Sequence, residues 1–298
     1  MIKDTVHKSV LLKETIDGLN LKKGSVVVDA TFGGGGHSLE VLRNYEGVEV
    51  VALDQDKSTW NRAKDKFKGL KVSFYNENFR NLDKALDKEG VKEVDGIIFD
   101  LGLSSDQLEV SLRGFSFMKD EPLMMTMKEN PGREDLTAKD IVNSWSEENL
   151  AKILRGYGEE NFAGRIARAI AEAREEKEIE STFQLVEIIR NVVPAFYRKG
   201  KTHFATKTFQ AIRMAVNDEL RALQEGLEKG VVALKSGGRM SVISFHSGED
   251  RIVKNIFKNL VKEGKIKLIN KKPIVPSNIE LKDNKRARSA KLRIIEKI

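Results

Sequence analysis

Short apolar runs alternate with polar, helix-forming stretches over the first hundred residues. Four of the runs have the length and composition of buried strands: 25–31, 48–53, 71–75 and 94–99. The polar stretches between them predict helices near 38–45, 57–68 and 79–89. Strands that alternate with helices favour a mostly parallel sheet with right-handed crossovers, which is an α/β fold.

The alternation stops near residue 110, and apolar residues then recur at helical spacing. Between 111 and 200 no stretch has the pattern of a strand. Thr137 and Asp140 have the spacing of a capping box at a helix start. We therefore predict an all-helical inserted domain at 111–204, within a sheet domain formed by 1–110 and 205–298.

The chain returns to the sheet pattern after the insertion. Apolar residues from Phe209 to Val231 step by three or four, which predicts one long amphipathic helix ending at Gly237-Gly238. Further along, the pattern predicts a fifth strand at 240–245, a helix at 249–260, and a closing pair of strands at 266–270 and 290–296.

A glycine-rich turn follows the first strand, in the stretch VVVDATFGGGGHS at 26–38. Glycine lets a backbone approach a ligand where a Cβ would clash, and ligands of open α/β sheets bind at the carboxyl ends of strands. The dinucleotide pattern G-x-G-x-x-G fails, because Ser38 or Leu39 stands at its third glycine. The acidic strand end Asp29, followed by glycines, suits the cationic amino-acid end of S-adenosylmethionine (AdoMet) better.

Two residues after the second and third strands complete a predicted nucleoside site. Asp54 can accept hydrogen bonds from both ribose hydroxyls, of AdoMet or of NAD. Phe79 has two interpretations, as a ring that packs on adenine or as a core aromatic residue.

A polar loop, DLGLSS at 100–105, closes the fourth strand. In a methyltransferase with such a sheet, this is where the sulfonium and the substrate meet. Asp100, Ser104 and the amide of Gln107 supply suitable polar groups, although a turn held by Asp100 is the alternative. His246, at the end of the fifth strand, is either a substrate contact or a structural histidine.

Composition narrows the class of protein. The chain has no cysteine and only four scattered histidines, which argues against disulfides and metal sites. The start, MIKDTVHKSVLLKE, has no signal-peptide run, and no stretch approaches the length of a membrane span, so we expect a cytoplasmic protein.

Positive charge is concentrated in two places. Residues 251–298 contain 15 Lys/Arg against 4 Asp/Glu, within a net charge of +7 for the whole chain. Residues 190–213 contain six basic residues and no acid, interleaved with four aromatic residues: Phe196, Tyr197, Phe204 and Phe209. Basic groups among aromatic rings suit RNA phosphates and stacked bases. The alternative is a solvated surface with these rings in the core.

Seven segments, spread over nearly the whole chain, resemble the bacterial MraW/RsmH family of 16S rRNA (cytosine-N4) methyltransferases. They are HKSVLL (7–12), DATFGGGGHS (29–38), DLGLSS (100–105), RGFSF (113–117), TKTFQAIRMAVNDEL (206–220), GGRMSVISFHSGEDR (237–251) and RARSAKLR (286–293).

The resemblance implies a class I AdoMet-dependent fold whose helical insertion recognises the substrate. It implies methyl transfer to N4 of a cytidine in the decoding region of 16S rRNA. It also implies that this RNA is the partner, within the small ribosomal subunit, and that neither a metal nor a membrane takes part. Candidate cofactor-binding residues are Gly34, Gly35, Gly36, His37, Asp54, Phe79, Asp100 and Gln107. Candidate catalytic residues are Asp100, Ser104 and His246.

The chain departs from the family pattern at several positions. Gly248 stands where leucine is usual, and Met124 and Thr126 replace an aspartate and an arginine. Phe204 and Lys207 stand where proline and arginine are usual, which is a milder change. Two other classes remain as alternatives: an NAD-dependent oxidoreductase, which the glycine spacing disfavours, and a non-catalytic RNA-binding protein, which would not need a cofactor pocket.

Overall fold

The computed structural model describes residues 8–298, and His7 together with the start of the N-terminal segment lies outside them. The described chain contains seven strands: β1 Val26–Asp29, β2 Glu49–Leu53, β3 Val72–Tyr75, β4 Val94–Asp100, β5 Leu234–Ser244, β6 Ile266–Leu268 and β7 Lys291–Lys297. Its α-helices are α1 Leu12–Leu19, α2 Gly36–Asn44, α3 Lys57–Ala63, α4 Leu82–Glu89, α5 Ser105–Glu109, α6 Ala138–Ser144, α7 Glu147–Gly156, α8 Ala163–Glu176, α9 Thr182–Val192, α10 Ala195–Arg198, α11 Thr206–Val216, α12 Glu219–Ala233, α13 Ser247–Lys262 and α14 Asn278–Asp283.

The seven strands form one sheet in the order β3-β2-β1-β4-β5-β7-β6. Strands β1 to β5 pair in parallel, and β7 is antiparallel to both β5 and β6. This confirms the α/β fold and the closing strand pair, and it is the fold of class I AdoMet-dependent methyltransferases.

Apolar residues cover both faces of the sheet. On one face, Val28 and Phe99 pack with Leu86 of α4, Leu227 of α12 and Phe257 of α13. On the other face, Val27 and Ile98 belong to a cluster with residues of α1, α2 and α3. Burial on both faces explains why the central strands are continuous apolar runs rather than alternating ones.

The described chain divides into two compact units. One contains the residues up to Gly102 together with Leu220–Ile298, and the other contains Leu103–Glu219. The first holds the whole sheet. The second is helical, and its core is formed mainly by apolar residues of α6 to α9 and α11. Thr137 caps α6 with a capping box, as the spacing predicts.

The single long helix predicted from Phe209 to Val231 is wrong, because the chain breaks at Asn217-Asp218. The Asn217 side chain accepts from the Met127 amide at 2.8 Å and donates to the Met125 carbonyl at 2.8 Å. Asp218 then adopts a left-handed φ of 48°. Side-chain bonds to a segment about ninety residues earlier therefore interrupt an otherwise unbroken helical stripe.

The predicted helix end at Gly237-Gly238 is also wrong. Helix α12 ends at Ala233, and β5 already begins at Leu234. Gly237 has a φ of 78°, and the register between β4 and β5 shifts in this stretch. A Cβ on Gly238 would lie 3.1 Å from the Val94 carbonyl oxygen, so the glycine pair allows an irregularity inside the strand.

Residues 8–298 contain neither a candidate membrane-spanning helix nor a candidate metal-binding cluster. No helix is both long enough and apolar enough to cross a membrane. No group of three or more His, Asp or Glu side chains is placed to hold a metal ion.

Candidate active site

Acidic side chains stand at three neighbouring strand ends of the first unit. Asp29 ends β1, Asp54 follows β2, and Asp100 ends β4. The strands lie in the order β2-β1-β4-β5, and Asp100 pairs with Ile243 of β5. The parallel sheet thus brings the predicted carboxylates to one edge, where ligands of such folds bind.

The glycine-rich turn, Gly33 to Gly36, connects this edge to α2. Gly35 is the N-cap of α2 with a φ of 74°, and a Cβ there would lie 2.5 Å from Cζ of Phe32. A Cβ on Gly36 would lie 1.9 Å from Oγ of Ser9. Glycine is therefore required at Gly35 by the left-handed backbone and the neighbouring ring, in addition to any ligand, whereas a Cβ at Gly36 would force the Ser9 side chain to move.

Hydrogen bonds fix the first two carboxylates. Ser38 Oγ donates to Asp29 Oδ2 at 2.6 Å, within a buried pair. The two oxygens of Asp54 accept separately, Oδ2 from the Gly33 amide at 2.8 Å and Oδ1 from the Asp56 amide at 2.8 Å. The Asp54 carboxylate is thereby held against the glycine turn, where it can still accept ribose hydroxyls, because each oxygen has a second lone pair.

Asp100 differs from these two residues. Its amide donates to Thr31 Oγ1 at 2.6 Å, which fixes the backbone at the strand end. Its Oδ1 is buried and has no hydrogen-bond partner within the described chain. Its Oδ2 lies 3.7 Å from Nδ1 of His37. A buried acceptor without a partner is unfavourable and marks a position where a ligand can donate.

The two candidate histidines have structural contacts in the first unit. His37 is buried, and its Nε2 lies 3.2 Å from the Val10 carbonyl oxygen. His246 caps α13, since its Nδ1 accepts from the Glu249 amide at 3.3 Å. The Glu249 carboxylate in turn accepts from the His246 amide at 3.3 Å and from the Phe245 amide at 2.8 Å. Whether His246 also contacts substrate remains a prediction.

Glu249 is a buried acid near the site that the sequence analysis did not single out. It is 4% exposed, and its charge acts on Asp100. The signal for it was the spacing of His246 and Glu249, which is that of a capping box. Gly248, between them, would carry a Cβ 3.2 Å from Nδ1 of His246. Glycine at this departure from the family pattern therefore leaves the cap undisturbed.

The Phe79 ring packs edge-on against Phe99, with centroids 5.7 Å apart. A Cβ on Gly226 of α12 would lie 2.9 Å from Cδ2 of Phe79. The ring is partly buried against the core cluster. It is therefore at least a core aromatic residue, and its contact with adenine remains a prediction.

Ser104 and Gln107 belong to the second unit, where they bond each other. The Ser104 amide donates to Gln107 Oε1 at 2.9 Å, and the Gln107 amide donates to Ser104 Oγ at 3.2 Å. This reciprocal pair starts α5, as a capping box does. The local fold thus gives both side chains a structural task, and their predicted roles toward cofactor and substrate remain predictions.

Burial and mutual repulsion raise the pKa values of the strand-end acids. Burial raises the pKa of Asp29 to about 6 against the hydrogen bond from Ser38. Burial, with Asp56 and Asp29 nearby, raises the pKa of Asp54 to about 7. Burial, with the charges of Asp29 and Glu249, raises the pKa of Asp100 to about 8. Each carboxyl therefore keeps its proton up to a higher pH in the folded chain than in the unfolded chain.

We expect the free energy of unfolding of the ligand-free protein to fall by on the order of 4 kcal/mol between about pH 6 and about pH 9. The unfolded carboxyls release their protons near pH 4, whereas folded Asp100 and Asp54 release theirs near 8 and 7. Their stabilising protonation is therefore lost as the pH rises through these values. Urea denaturation at both pH values measures the change, and Asp100→Asn should reduce it. Equal stability at both ends of the window would contradict the raised pKa values.

The carboxylates at this edge of the sheet suit AdoMet as a ligand. Asp29, Asp54, Asp100 and Glu249 are close enough for their charges to interact, so the edge favours a cation. AdoMet carries positive charge on its sulfonium and ammonium groups, whereas the pyrophosphate of a dinucleotide would be repelled. The unpartnered Asp100 Oδ1 is a further acceptor for a donating ligand.

This sheet with its acidic, glycine-bordered edge defines an AdoMet-dependent methyltransferase of class I. The narrower assignment comes from the sequence. Residues 4–298 match the model of the MraW methylase family, so the chain belongs to that family.

Solved structures similar to this chain include two streptococcal proteins. One is an rRNA methylase from Streptococcus thermophilus, at 13% identity and a TM-score of 0.47, with 98% of each chain covered. The other is a methyltransferase candidate from Streptococcus mutans in complex with SAH, at 13% identity and a TM-score of 0.49, with 98% of this chain and 99% of that chain covered. Both likenesses are distant, and the assignment rests on the family match.

Proposed function

We propose that this protein methylates the exocyclic N4 of a cytidine in the decoding region of 16S rRNA, in the small ribosomal subunit and in the cytoplasm. Membership of the MraW methylase family supports methyl transfer, and the seven resembling segments support this base. The observation that carries the proposal is the Asp100 carboxyl, with a buried Oδ1 that lacks a partner within residues 8–298.

An exocyclic amine needs an acceptor, because its lone pair is delocalised into the cytosine ring. Asp100 Oδ1, which lacks a partner within residues 8–298, accepts a hydrogen bond from an N4 hydrogen and so localises that lone pair. The carboxylate later takes the proton. AdoMet, when bound, supplies a methyl group that the sulfonium has already activated. A cation beside Asp100 lowers the pKa of this carboxyl from about 8, so that it is ionised and able to accept.

The remaining candidate residues bind and orient the cofactor and the target base. Asp54, fixed by the Gly33 amide, accepts the ribose hydroxyls, and the turn Gly34, Gly35 and Gly36 borders the amino-acid end. Phe79, Gln107 and His37 are proposed as further cofactor contacts. Ser104 and His246 are proposed as polar groups toward the base.

The second unit is proposed to present the RNA. Of the four aromatic residues in 190–213, Phe196 is 72% exposed, whereas Phe204 and Phe209 are buried in the core of the unit. Phe115 is also buried, with the Arg113 guanidinium 5.5 Å from its ring centroid. Phe115, Phe117 and His246 are the candidates for the surface on which the target base stacks, and the burial of Phe115 favours Phe117 or His246. Removing a base from its stack costs a few kcal/mol in general, and least in an unpaired region.

Tritium transfer from labelled AdoMet into small-subunit particles that lack the modification tests this function. Nuclease digestion and chromatography then identify the labelled nucleoside. We expect label in N4-methylated cytidine. Label in another base would keep the methyltransferase and contradict the proposed position. No label in any RNA, with AdoMet binding intact, would favour the binding-protein alternative.

A further inference from the structure

The exposed face of α13 is basic along most of its length. Arg251, Lys254, Lys258 and Lys262 are all exposed, and no acidic residue occurs between Asp250 and Glu263. At about 100° per residue, the four side chains fall within about 80° of one another around the helix axis. We call these four residues the α13 stripe. The opposite side of the helix packs on the sheet through Val253 and Phe257.

The lysines of the α13 stripe carry uncompensated charge. Lys254, Lys258 and Lys262 form no ion pair or side-chain hydrogen bond with the part of the chain that the structure describes. By contrast, Lys265 and Lys267, just beyond the helix, pair with Glu263 and Glu296 at 2.8 Å and 2.6 Å.

Helix energetics alone do not account for the stripe. Like charges four residues apart destabilise a helix, and the stripe contains two such pairs, Lys254 with Lys258 and Lys258 with Lys262. The helix dipole favours a cation only in the last turn, which covers Lys262 but not Arg251 or Lys254. A binding partner that supplies negative charge would offset the repulsion.

The stripe starts at the edge of the sheet that carries the active site. Helix α13 begins at Ser247, directly after β5, and β5 pairs with β4 up to Asp100. Arg251 is therefore the member nearest that edge, and Lys262 lies about 16 Å further along the helix. The three lysines repeat about every 6 Å. A straight, evenly spaced line of cations suits a linear polyanion.

We propose that the α13 stripe binds the sugar-phosphate backbone of the substrate RNA next to the methylated nucleotide. This inference rests on the proposed RNA substrate and assigns it a contact surface on the sheet unit. The regular spacing favours RNA over an acidic protein, whose carboxylates have no comparable repeat. The contact is with phosphate, so it adds affinity without reading sequence.

The test compares two triple variants with the full-length protein of the original sequence, called here the unmodified protein. The stripe variant is Lys254→Gln, Lys258→Gln and Lys262→Gln. The control is Lys22→Gln, Lys84→Gln and Lys92→Gln, which removes the same charge from exposed lysines elsewhere in the same unit. The probe is a fluorescein-labelled RNA hairpin with the decoding-region sequence, titrated at several KCl concentrations.

We expect the slope of log K against log salt to become shallower by about 2 to 3 in the stripe variant, since each lost phosphate contact contributes about 0.7 to 0.9. Affinity at low salt should fall at least about tenfold, while the control keeps the original slope. AdoMet affinity by calorimetry should be equal in all three proteins, which shows that the stripe variant is folded.

Three results would overturn the proposal. An unchanged slope in the stripe variant would remove these lysines from the RNA contact. An unchanged slope together with lost binding to intact small-subunit particles would assign the stripe to a ribosomal protein. If the unmodified protein binds no RNA and methylates none, the proposed function fails and the stripe proposal fails with it.

Discussion

Asp100→Asn is expected to lower the rate of methyl transfer by about 10²- to 10⁴-fold, the range typical of a lost general acid or base. Asparagine keeps the size of the side chain and the backbone bond to Thr31 Oγ1. It can still accept a hydrogen bond, but it cannot take the proton that N4 must lose. Single-turnover transfer to small-subunit particles measures the rate, and calorimetry measures AdoMet affinity separately.

Asp54→Asn is the matched comparison, because it changes a carboxyl at the neighbouring strand end. Asp54 is fixed by two backbone amides, and its proposed task is to bind ribose. We expect this variant to lose mainly AdoMet affinity and to keep most of its rate at saturating AdoMet. A full rate in Asp100→Asn would remove Asp100 from the chemistry and leave it as a cofactor anchor.

Gly35→Ala is expected to lower the free energy of unfolding by about 2–5 kcal/mol. A non-glycine residue in a left-handed conformation costs about 1–2 kcal/mol, and forced overpacking adds about 1–3 kcal/mol. At Gly35 both apply, since φ is 74° and the new Cβ would lie 2.5 Å from Phe32 Cζ and 2.6 Å from Phe67 Cζ. Urea denaturation measures the loss, and AdoMet affinity should fall with it.

Gly90→Ala isolates the packing contribution. Gly90 ends α4 with the same φ of 74°, but no atom lies within 4 Å of its added Cβ. We therefore expect only the backbone cost of about 1–2 kcal/mol there. Equal losses in the two variants would mean that the aromatic residues around Gly35 give way, and that the turn does not depend on their contact.

The sheet was predictable because its signals are local. Each central strand is a short apolar run, and each crossover is polar, so the order of elements follows from the pattern. The same runs end in Asp29, Asp54 and Asp100, and parallel pairing alone brings these ends to one edge. The candidate acids of the first unit could therefore be named from the sequence.

The breaks in regular structure were not predictable, because they depend on distant residues. The apolar helical pattern from Phe209 to Val231 is unbroken in the sequence. The helix nevertheless ends before Asn217, whose side chain forms hydrogen bonds with the backbone of Met125 and Met127. Glycines at 237 and 238 mark a helix end in most sequences, whereas here they lie inside β5 against β4.

By itself, the sequence determined the parallel sheet, the glycine turn, the acidic strand ends and the family, since all of these are carried by residue type and spacing. Only the tertiary structure decided which acid lacks a partner and which glycine cannot be replaced. Asp100 Oδ1 is left unpaired, while Asp29 and Asp54 are satisfied. The physical reason is that burial and steric contact arise between residues far apart in the chain, and no local pattern records them.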